Sequence, residues 1–165
     1  MNIEVIPDCR YPDIDKLLKE ITNVLGLLKS ILLKDTGIKK NWPNYKKFNI
    51  SVIIVNNRQI KKLNNDFRNK NKKTDVITFP FDKGNEIMGS LAEIYISIDQ
   101  AQKQAMEQQN SLLEELTILI IHGILHAFGY DHEKSLEDSK IMREKEIFLL
   151  KKINMQTINP LTQIL

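Results

Sequence analysis

Apolar residues recur at helical spacing in the first part of the chain. Between Pro12 and Gly37 they return every three or four positions, which predicts an amphipathic helix that Pro12 opens and Gly37 stops. The apolar positions are Ile14, Leu17, Leu18, Ile21, Val24, Leu25, Leu28, Ile31 and Leu32. Ile60, Leu63 and Phe67 predict a second, shorter helix with basic residues on its outer side.

Four segments have the pattern of β-strands. In the two longer ones, apolar residues alternate with more polar neighbours, as is typical of strands. These apolar positions are Phe48, Ile50, Val52 and Ile54 in one segment, and Ala92, Ile94, Ile96 and Ile98 in the other. Two shorter strands are predicted, one at residues 2–6 with Ile3 and Val5 facing inward, and one at 75–79, where Pro80 ends it.

The last third of the chain is helical. Ser111 followed by Glu114 resembles a capping box, and the apolar run behind it predicts a helix to about Phe128 that ends at Gly129. Ser135 can cap a final helix. Because no linker interrupts the pattern, we expect a single α+β or mixed α/β domain over residues 1–152, followed by a tail at 153–165.

Composition narrows the class of protein. Cys9 is the only cysteine among 165 residues, so cysteine-rich zinc modules and intramolecular disulfides are excluded and a cytoplasmic location is expected. We see neither a signal-peptide pattern nor an apolar run long enough for a membrane span.

Three histidines occur, all within an 11-residue window. Random placement would give this about 1% of the time, so the count points to a site.

Positive charge is concentrated in one segment. Residues 29–73 contain 13 Lys or Arg and two acids, a net charge of +11 within a chain of net +3. Such a surface can attract a polyanion. It is equally typical of a solvated surface in a lysine-rich chain, and charge alone does not decide between the two.

The histidines have the spacing of a metal site. His122 and His126 leave the same helix face one turn apart, and Gly129 lets the chain turn back to present His132. Three protein ligands leave one position open, as in catalytic zinc sites. Two other interpretations of these histidines are open: they are unrelated polar residues or core histidines, or they form a structural zinc site. Asp131 could complete the site, orient a ligand, or be a turn residue.

One position separates this motif from that of the metzincin proteases. Their pattern is H-E-x-x-H-x-x-G-x-x-H, with the glutamate as general base. Gly123 stands at the glutamate position. Ordinary peptide hydrolysis is therefore doubtful, and the sequence does not identify another general base.

Two blocks together resemble the YbeY family. The segment from His122 to His132 reads HGILHAFGYDH and matches the family hallmark H-G-x-L-H-x-x-G-Y-D-H at every fixed position. Residues 63–68 and 74–80, LNNDFR and TDVITFP, are similar to its L-N-x-x-Y/F-R and T-D-V-L-S-F-P blocks. The chain departs from the family at Asn69, where glycine is common, and at Ala92-Glu93, where Gly-Asp is usual.

The resemblance implies a metal-dependent, single-strand-specific endoribonuclease. It implies a zinc ion on His122, His126 and His132, and ribosomal RNA as substrate, notably the 3′ end of the 16S precursor. A role in ribosome quality control, ribosomal particles as partners and a cytoplasmic location follow from it as well. The implied fold is a small mixed sheet of four strands flanked by helices, with the metal at one end of a cleft.

Roles for further residues follow from this resemblance and from side-chain chemistry. Arg68 is the candidate catalytic residue, because a guanidinium can hold a phosphate through two parallel hydrogen bonds. Lys72 and Lys73, with neighbouring lysines, are candidates for binding the RNA backbone. Phe67 and Tyr130 are possible base-stacking groups, although packing in the core or in a turn is the expected role of both.

Two other functions stay open at this level. One is a metal-dependent hydrolase of another class, a protease or an amidase, which the motif spacing permits. The other is a non-catalytic RNA- or ribosome-binding factor with structural zinc. Imidazole ligands also suit nickel, copper or iron, so the native metal is not fixed.

Overall fold

A mixed β-sheet forms the centre of the structure. The computed structural model describes residues 1–81 and 91–153. Its strands are β1 (Asn2–Pro7), β2 (Asn49–Val55), β3 (Val76–Phe79) and β4 (Leu91–Ser97), in the order β1-β2-β4-β3. The first three strands in that order are parallel, whereas β3 runs antiparallel to β4. The predicted mixed four-stranded sheet is therefore confirmed within the described residues.

Six helices surround the sheet in the described part of the chain. They are α1 (Ile14–Leu32), α2 (Thr36–Asn41), α3 (Asn57–Arg68), α4 (Ile98–Gln108), α5 (Leu112–Ala127) and α6 (Leu136–Lys152). None of these helices is long and apolar enough to cross a bilayer. Together with the sheet they form the α+β domain that the sequence predicts.

The two faces of the sheet carry cores of different size. Ile50, Val52 and Ile54 of β2 join the large core, which also includes buried residues of α1 and α5. Ile53 and Val55 face the opposite side, where they form a small cluster with α3. β2 is buried on both faces, and five of its seven residues are apolar, as expected for a strand within a parallel sheet.

The C-terminal end predicted for the first helix is wrong. Gly37 does not stop it, because α1 ends at Leu32 and Gly37 lies in the first turn of α2. The Asp35 carboxylate accepts hydrogen bonds from the backbone N–H groups of Gly37 and Ile38, both at 3.0 Å. An aspartate that caps a new helix in this way competes with continuation of the old one.

The fourth strand is predicted one residue too long, and the helix behind it is missed. Ile98 begins α4 instead of ending β4, because the Ser97 hydroxyl accepts from the N–H of Gln100 and caps a new helix. The buried positions of α4 are Ile98, Ala101 and Ala105. Two of its three buried side chains are methyl groups, so the helix gives only a weak apolar signal.

The last two helices begin where the sequence predicts. Ser111 and Glu114 form the reciprocal capping box of α5, and the Ser135 hydroxyl accepts from the N–H of Asp138 at the start of α6. Ile153, the first residue of the predicted tail, is buried in the large core. The rest of that tail, residues 154–165, lies outside the described residues.

Candidate metal centre

Helix α5 places two histidines side by side. His122 and His126 are one turn apart, and their Nε2 atoms are 3.0 Å from each other. α5 is buried along most of its length, so its orientation is fixed by the core and by the sheet. The site is therefore built on a rigid element, which holds ligand geometry better than a loop.

A tight turn after α5 returns the chain to the same point. Gly129 has φ +84°, its N–H donates to the carbonyl of His126 at 2.9 Å, and the N–H of Tyr130 donates to the carbonyl of Leu125 at 3.1 Å. This is a Schellman motif, in which glycine takes the left-handed position. The imidazole of His132 consequently lies 5.2 Å and 5.3 Å, centroid to centroid, from those of His122 and His126.

The three imidazoles can hold one metal ion. One ring nitrogen from each histidine lies within 4.8 Å of the other two. Nitrogen ligands about 2.0–2.1 Å from a tetrahedral zinc stand about 3.3 Å apart, so these side chains need only small adjustments. Nitrogen donors of this kind suit zinc and several other transition metals. The donor set therefore fits the group that the sequence motif implies.

A buried glutamate orients one of these histidines, and the sequence analysis missed it. Glu146 of α6 lies 2.7 Å from Nδ1 of His122, and both side chains are buried. The carboxylate accepts from Nδ1–H, which leaves the Nε2 lone pair free toward the cluster. Glu146 shares one helix face with Met142, Leu149 and Leu150, so an acid inside an apolar stripe was the available signal.

Burial favours the metal-binding form of His126. Its pKa is lowered from 6.5 to about 4, first by burial and then by the nearby His122 and His132. A neutral imidazole is the form that ligates a metal. His126 is therefore ready to bind at neutral pH without losing a proton.

Gly123 allows α5 to pack closely against the sheet. A Cβ atom at this position would lie 2.5 Å from Cγ2 of Ile94 and 3.1 Å from Oγ1 of Thr78. Ile94 is fully buried and belongs to β4. A glutamate at position 123 would point into the sheet instead of toward the metal site, so the missing protease base has a structural reason.

An open cleft of about 1010 Å³ lies over the three histidines. Basic, acidic and polar side chains line the same cleft, among them Arg68, Lys70, Thr74 and Asp75. Arg68 is the last residue of α3, and Asn69 after it has φ 54° in the left-handed region. Asparagine tolerates this conformation, as does the glycine that is common at this position in the resembling family.

The structure brings some of the predicted RNA-binding residues to the cleft but not all. Arg68 and Lys70 line it together with the histidines, whereas Lys72 and Lys73 are exposed and lie outside its lining. The Lys72 carbonyl accepts from the Asn64 side chain at 2.8 Å, which holds the intervening loop. A role for either lysine in binding RNA stays a prediction.

Asp131 has the contacts of a turn residue. Its Oδ1 accepts from the N–H of Glu133 at 3.0 Å, and its Oδ2 lies 3.7 Å from the Lys134 ammonium. The hydrogen bond from Glu133 is the main reason that the pKa of Asp131 is lowered. Of the roles that the sequence left open, these contacts favour the turn.

Comparison with known proteins identifies the family of this chain. The model of the family described as "Endoribonuclease YbeY" matches residues 13–154. Relatives named endoribonuclease YbeY include one from Aquifex aeolicus, 45% identical over 107 residues (64% of this chain, 70% of that protein). Another, from Acholeplasma laidlawii, is 39% identical over 132 residues and covers 80% of this chain and 85% of that protein.

A solved structure shows the same fold. The solution structure of TM1509 from Thermotoga maritima superposes with a TM-score of 0.60 at 32% identity, covering 92% of this chain and 88% of that one. The family match extends from α1 to the end of α6 and includes both the three histidines and Arg68. The chain therefore belongs to the YbeY family of endoribonucleases.

Proposed function

We propose that this protein is a metal-dependent endoribonuclease that cleaves single-stranded RNA. Zinc is the proposed metal, ribosomal RNA the substrate, and the 3′ end of the 16S precursor the principal target. Action on ribosomal particles in quality control and a cytoplasmic location belong to the same proposal. The observation that carries it is the convergence of three histidine nitrogens, all within 4.8 Å, in a cleft that Arg68 and Lys70 also line.

The histidines and Glu146 prepare the site for chemistry. Zinc, when bound, would supply a Lewis acid for the phosphodiester and would help to activate a water molecule. His122, His126 and His132 would hold the ion, and Glu146 fixes the ring of His122 through Nδ1. A set of three protein ligands is the pattern of catalytic rather than structural zinc sites.

Arg68 supplies the positive charge for the phosphate. Its guanidinium can donate two parallel hydrogen bonds to phosphate oxygens, and Lys70 adds a second cation in the same cleft. Lys72 and Lys73 are proposed to contact the RNA backbone farther from the reacting bond. Either water or the 2′-hydroxyl of the RNA is the nucleophile in this scheme.

The contacts of Gly123 favour a nuclease over a protease. A metzincin base at this position is excluded by Ile94 and Thr78, while cations, Arg68 and Lys70 among them, line the same cleft as the histidines. Cations suit a phosphodiester and offer nothing comparable to a neutral peptide bond. A protease or amidase with this cleft would need its general base from another element.

The proposal is tested by metal analysis coupled to cleavage of a defined single-stranded RNA. His126→Ala should lose both the metal and cleavage. Arg68→Ala should keep the metal and lose roughly a hundredfold in rate, as when one preorganised donor is removed. Arg58→Ala is the matched control, since Arg58 is an exposed arginine of the same helix outside the cleft lining and should change little.

Each rival gives a different result in the same experiment. Wild-type nuclease activity in His126→Ala would contradict metal catalysis. Digestion of a peptide library without RNA cleavage would support the protease. Unfolding on metal removal, with a folded holoprotein that cuts nothing, would support a binding factor. The 16S 3′ end in cells depleted of the protein tests the ribosomal substrate separately.

A further inference from the structure

Phe67 presents a largely exposed aromatic ring and is adjacent in the chain to Arg68, which lines the cleft. It lies in the last turn of α3, immediately before Arg68, and 65% of its surface is exposed. The packing role that the sequence predicts for Phe67 is therefore wrong, whereas Ile60 of the same helix is fully buried, as its spacing predicts. Tyr130, the other possible stacking residue, is half-buried against the large core and fits its expected packing role.

Two other aromatic rings support Phe67 in a fixed orientation. Phe67 meets Phe79 at 73° with 5.0 Å between ring centroids, and Phe79 meets Tyr95 at 88° and 5.8 Å. The Tyr95 hydroxyl donates to the Glu93 carboxylate at 3.0 Å, which fixes the far end. Edge-to-face contacts of this kind are a favoured arrangement of aromatic pairs, and with 65% of its surface exposed most of the Phe67 side chain stays accessible. A ring already held in place loses little conformational entropy when a ligand stacks on it.

The segment that follows Phe67 in the chain is cationic. Arg68, Lys70, Lys72 and Lys73 follow within six positions and are all exposed. The acid nearest in the chain, Asp66, pairs with Lys62 at 3.2 Å. A free aromatic ring among cations is the combination that binds single-stranded nucleic acid, in which the cations contact phosphates and the ring stacks on a base.

Strand β3 separates the Phe67 ring from the helix that carries His122 and His126. Thr78 and Phe79 are neighbours in β3, at the edge of the described sheet. Thr78 faces Gly123 of α5, whereas Phe79 faces Phe67 of α3, because successive side chains of a strand point to opposite faces. A polyanion in the cleft that crosses this edge beside Arg68 therefore reaches Phe67.

We propose that Phe67 stacks on an unpaired base of the RNA strand whose phosphate Arg68 holds. The site takes a base adjacent to the reacting region, on the side of β3 away from the histidines. A base within a duplex has both faces covered by its neighbours and cannot stack on the ring, so this contact selects for single strands. The inference rests on the proposed function and adds a binding contact to it.

The test compares Phe67→Leu with Phe67→Tyr. Leucine keeps an apolar contact with Phe79 but has no aromatic face, and tyrosine keeps the face. Binding of a fluorescent single-stranded oligoribonucleotide is measured by anisotropy in a His126→Ala background that prevents cleavage. We expect Phe67→Leu to weaken binding about tenfold and Phe67→Tyr to bind as the parent does. Phe148→Leu, at an exposed phenylalanine on α6, is the control and should bind as the parent does.

An abasic scan of the oligonucleotide identifies the stacked base. Removing the stacked base should weaken binding to the parent protein about tenfold, the same factor as the Phe67→Leu substitution. Removing it should not weaken binding to Phe67→Leu any further, because that contact is already lost. The salt dependence of binding should not change, since no charge is removed. Melting temperatures within a few degrees of the parent's check that the variants remain folded.

Several results would overturn the inference. One is that Phe67→Leu binds single-stranded RNA as tightly as its parent does. Another is that the substitution weakens binding to duplex RNA by the same factor as binding to single strands. Abasic positions that affect both proteins alike would also contradict stacking and would favour a protein partner for this ring. If wild type cleaves RNA and Phe67→Leu matches it in cleavage and binding, only the stacking contact fails. If wild type neither binds nor cleaves RNA, the proposed function fails as well.

Discussion

Gly123 of α5 packs directly on Ile94 of β4, with 2.5 Å between the position of an added Cβ and Cγ2 of Ile94. The metal-binding helix thus approaches the sheet more closely than any residue with a side chain would permit. The same contact removes the residue that acts as base in the metzincin pattern. A single glycine therefore determines both the position of the histidines and the chemistry that the site lacks.

Gly123→Ala should destabilise the protein. Glycine to alanine in a helix normally stabilises by up to about 1 kcal/mol, but overpacking a core costs about 1–3 kcal/mol, and the second effect should dominate. Gly26→Ala is the control, because an added Cβ in α1 at that position has nothing within 4 Å. Denaturant unfolding should show a loss for the first variant and a small gain for the second. A gain for both would contradict the close contact.

Glu146→Ala should weaken metal binding without removing any ligand. Loss of the carboxylate on Nδ1 of His122 frees the ring to rotate and lowers its basicity, and such changes typically cost about 10- to 100-fold in metal affinity. Glu146→Gln keeps an acceptor and should lose less. Glu144→Ala, at an exposed acid of the same helix, should bind zinc normally. Competition with a chelator measures all three, and unchanged affinity in Glu146→Ala would refute the positioning role.

The metal-free protein should lose stability as the pH falls from about 6.5 toward about 4. The folded state keeps His126 neutral until its pKa of about 4, whereas the unfolded chain takes up a proton near 6.5. Protonation therefore favours unfolding within this window, and stability is recovered as the pH rises above it. Thermal melts in chelator across this range, with the imidazole titration followed by NMR, provide the check. A His126 that titrates at its ordinary value would contradict the effect of burial.

Asp35→Asn should reduce stability at neutral pH. Burial raises the pKa of Asp35, but hydrogen bonds from Lys145 of α6 and from the N–H of Ile38 lower it further, so it is lowered overall. The charged form therefore stabilises the fold above the ordinary value of 3.8, and this contribution is lost as the pH falls through the lowered pKa. We expect a loss of about 1–3 kcal/mol at pH 7 that shrinks in strong acid. Asp66→Asn, in an exposed pair with Lys62, should cost less than about 1 kcal/mol.

Local patterns predicted most of the secondary structure. The caps at Ser111 and Ser135 and the turn at Gly129 have the geometry that their residue types predict, because capping and positive φ depend on a few neighbouring residues. The predicted helix end at Gly37 was wrong, because the cap formed by Asp35 gives no periodic signal. The helix after Ser97 was missed, because two of its three buried residues are alanines and its apolar pattern is weak. Errors of this kind leave the sheet and the histidine helix unaffected.

The sequence by itself determined that three histidines share a helix and the turn after it, because i, i+4 spacing and a glycine stop are local geometry. It also showed that Gly123 replaces the protease base. Only the tertiary structure decided why Gly123 is there, that Glu146 is the carboxylate on His122, and that Phe67 remains exposed. These depend on contacts between α5 and β4, between α5 and α6, and between α3 and β3. Such contacts join residues far apart in the chain, and no local periodicity encodes them.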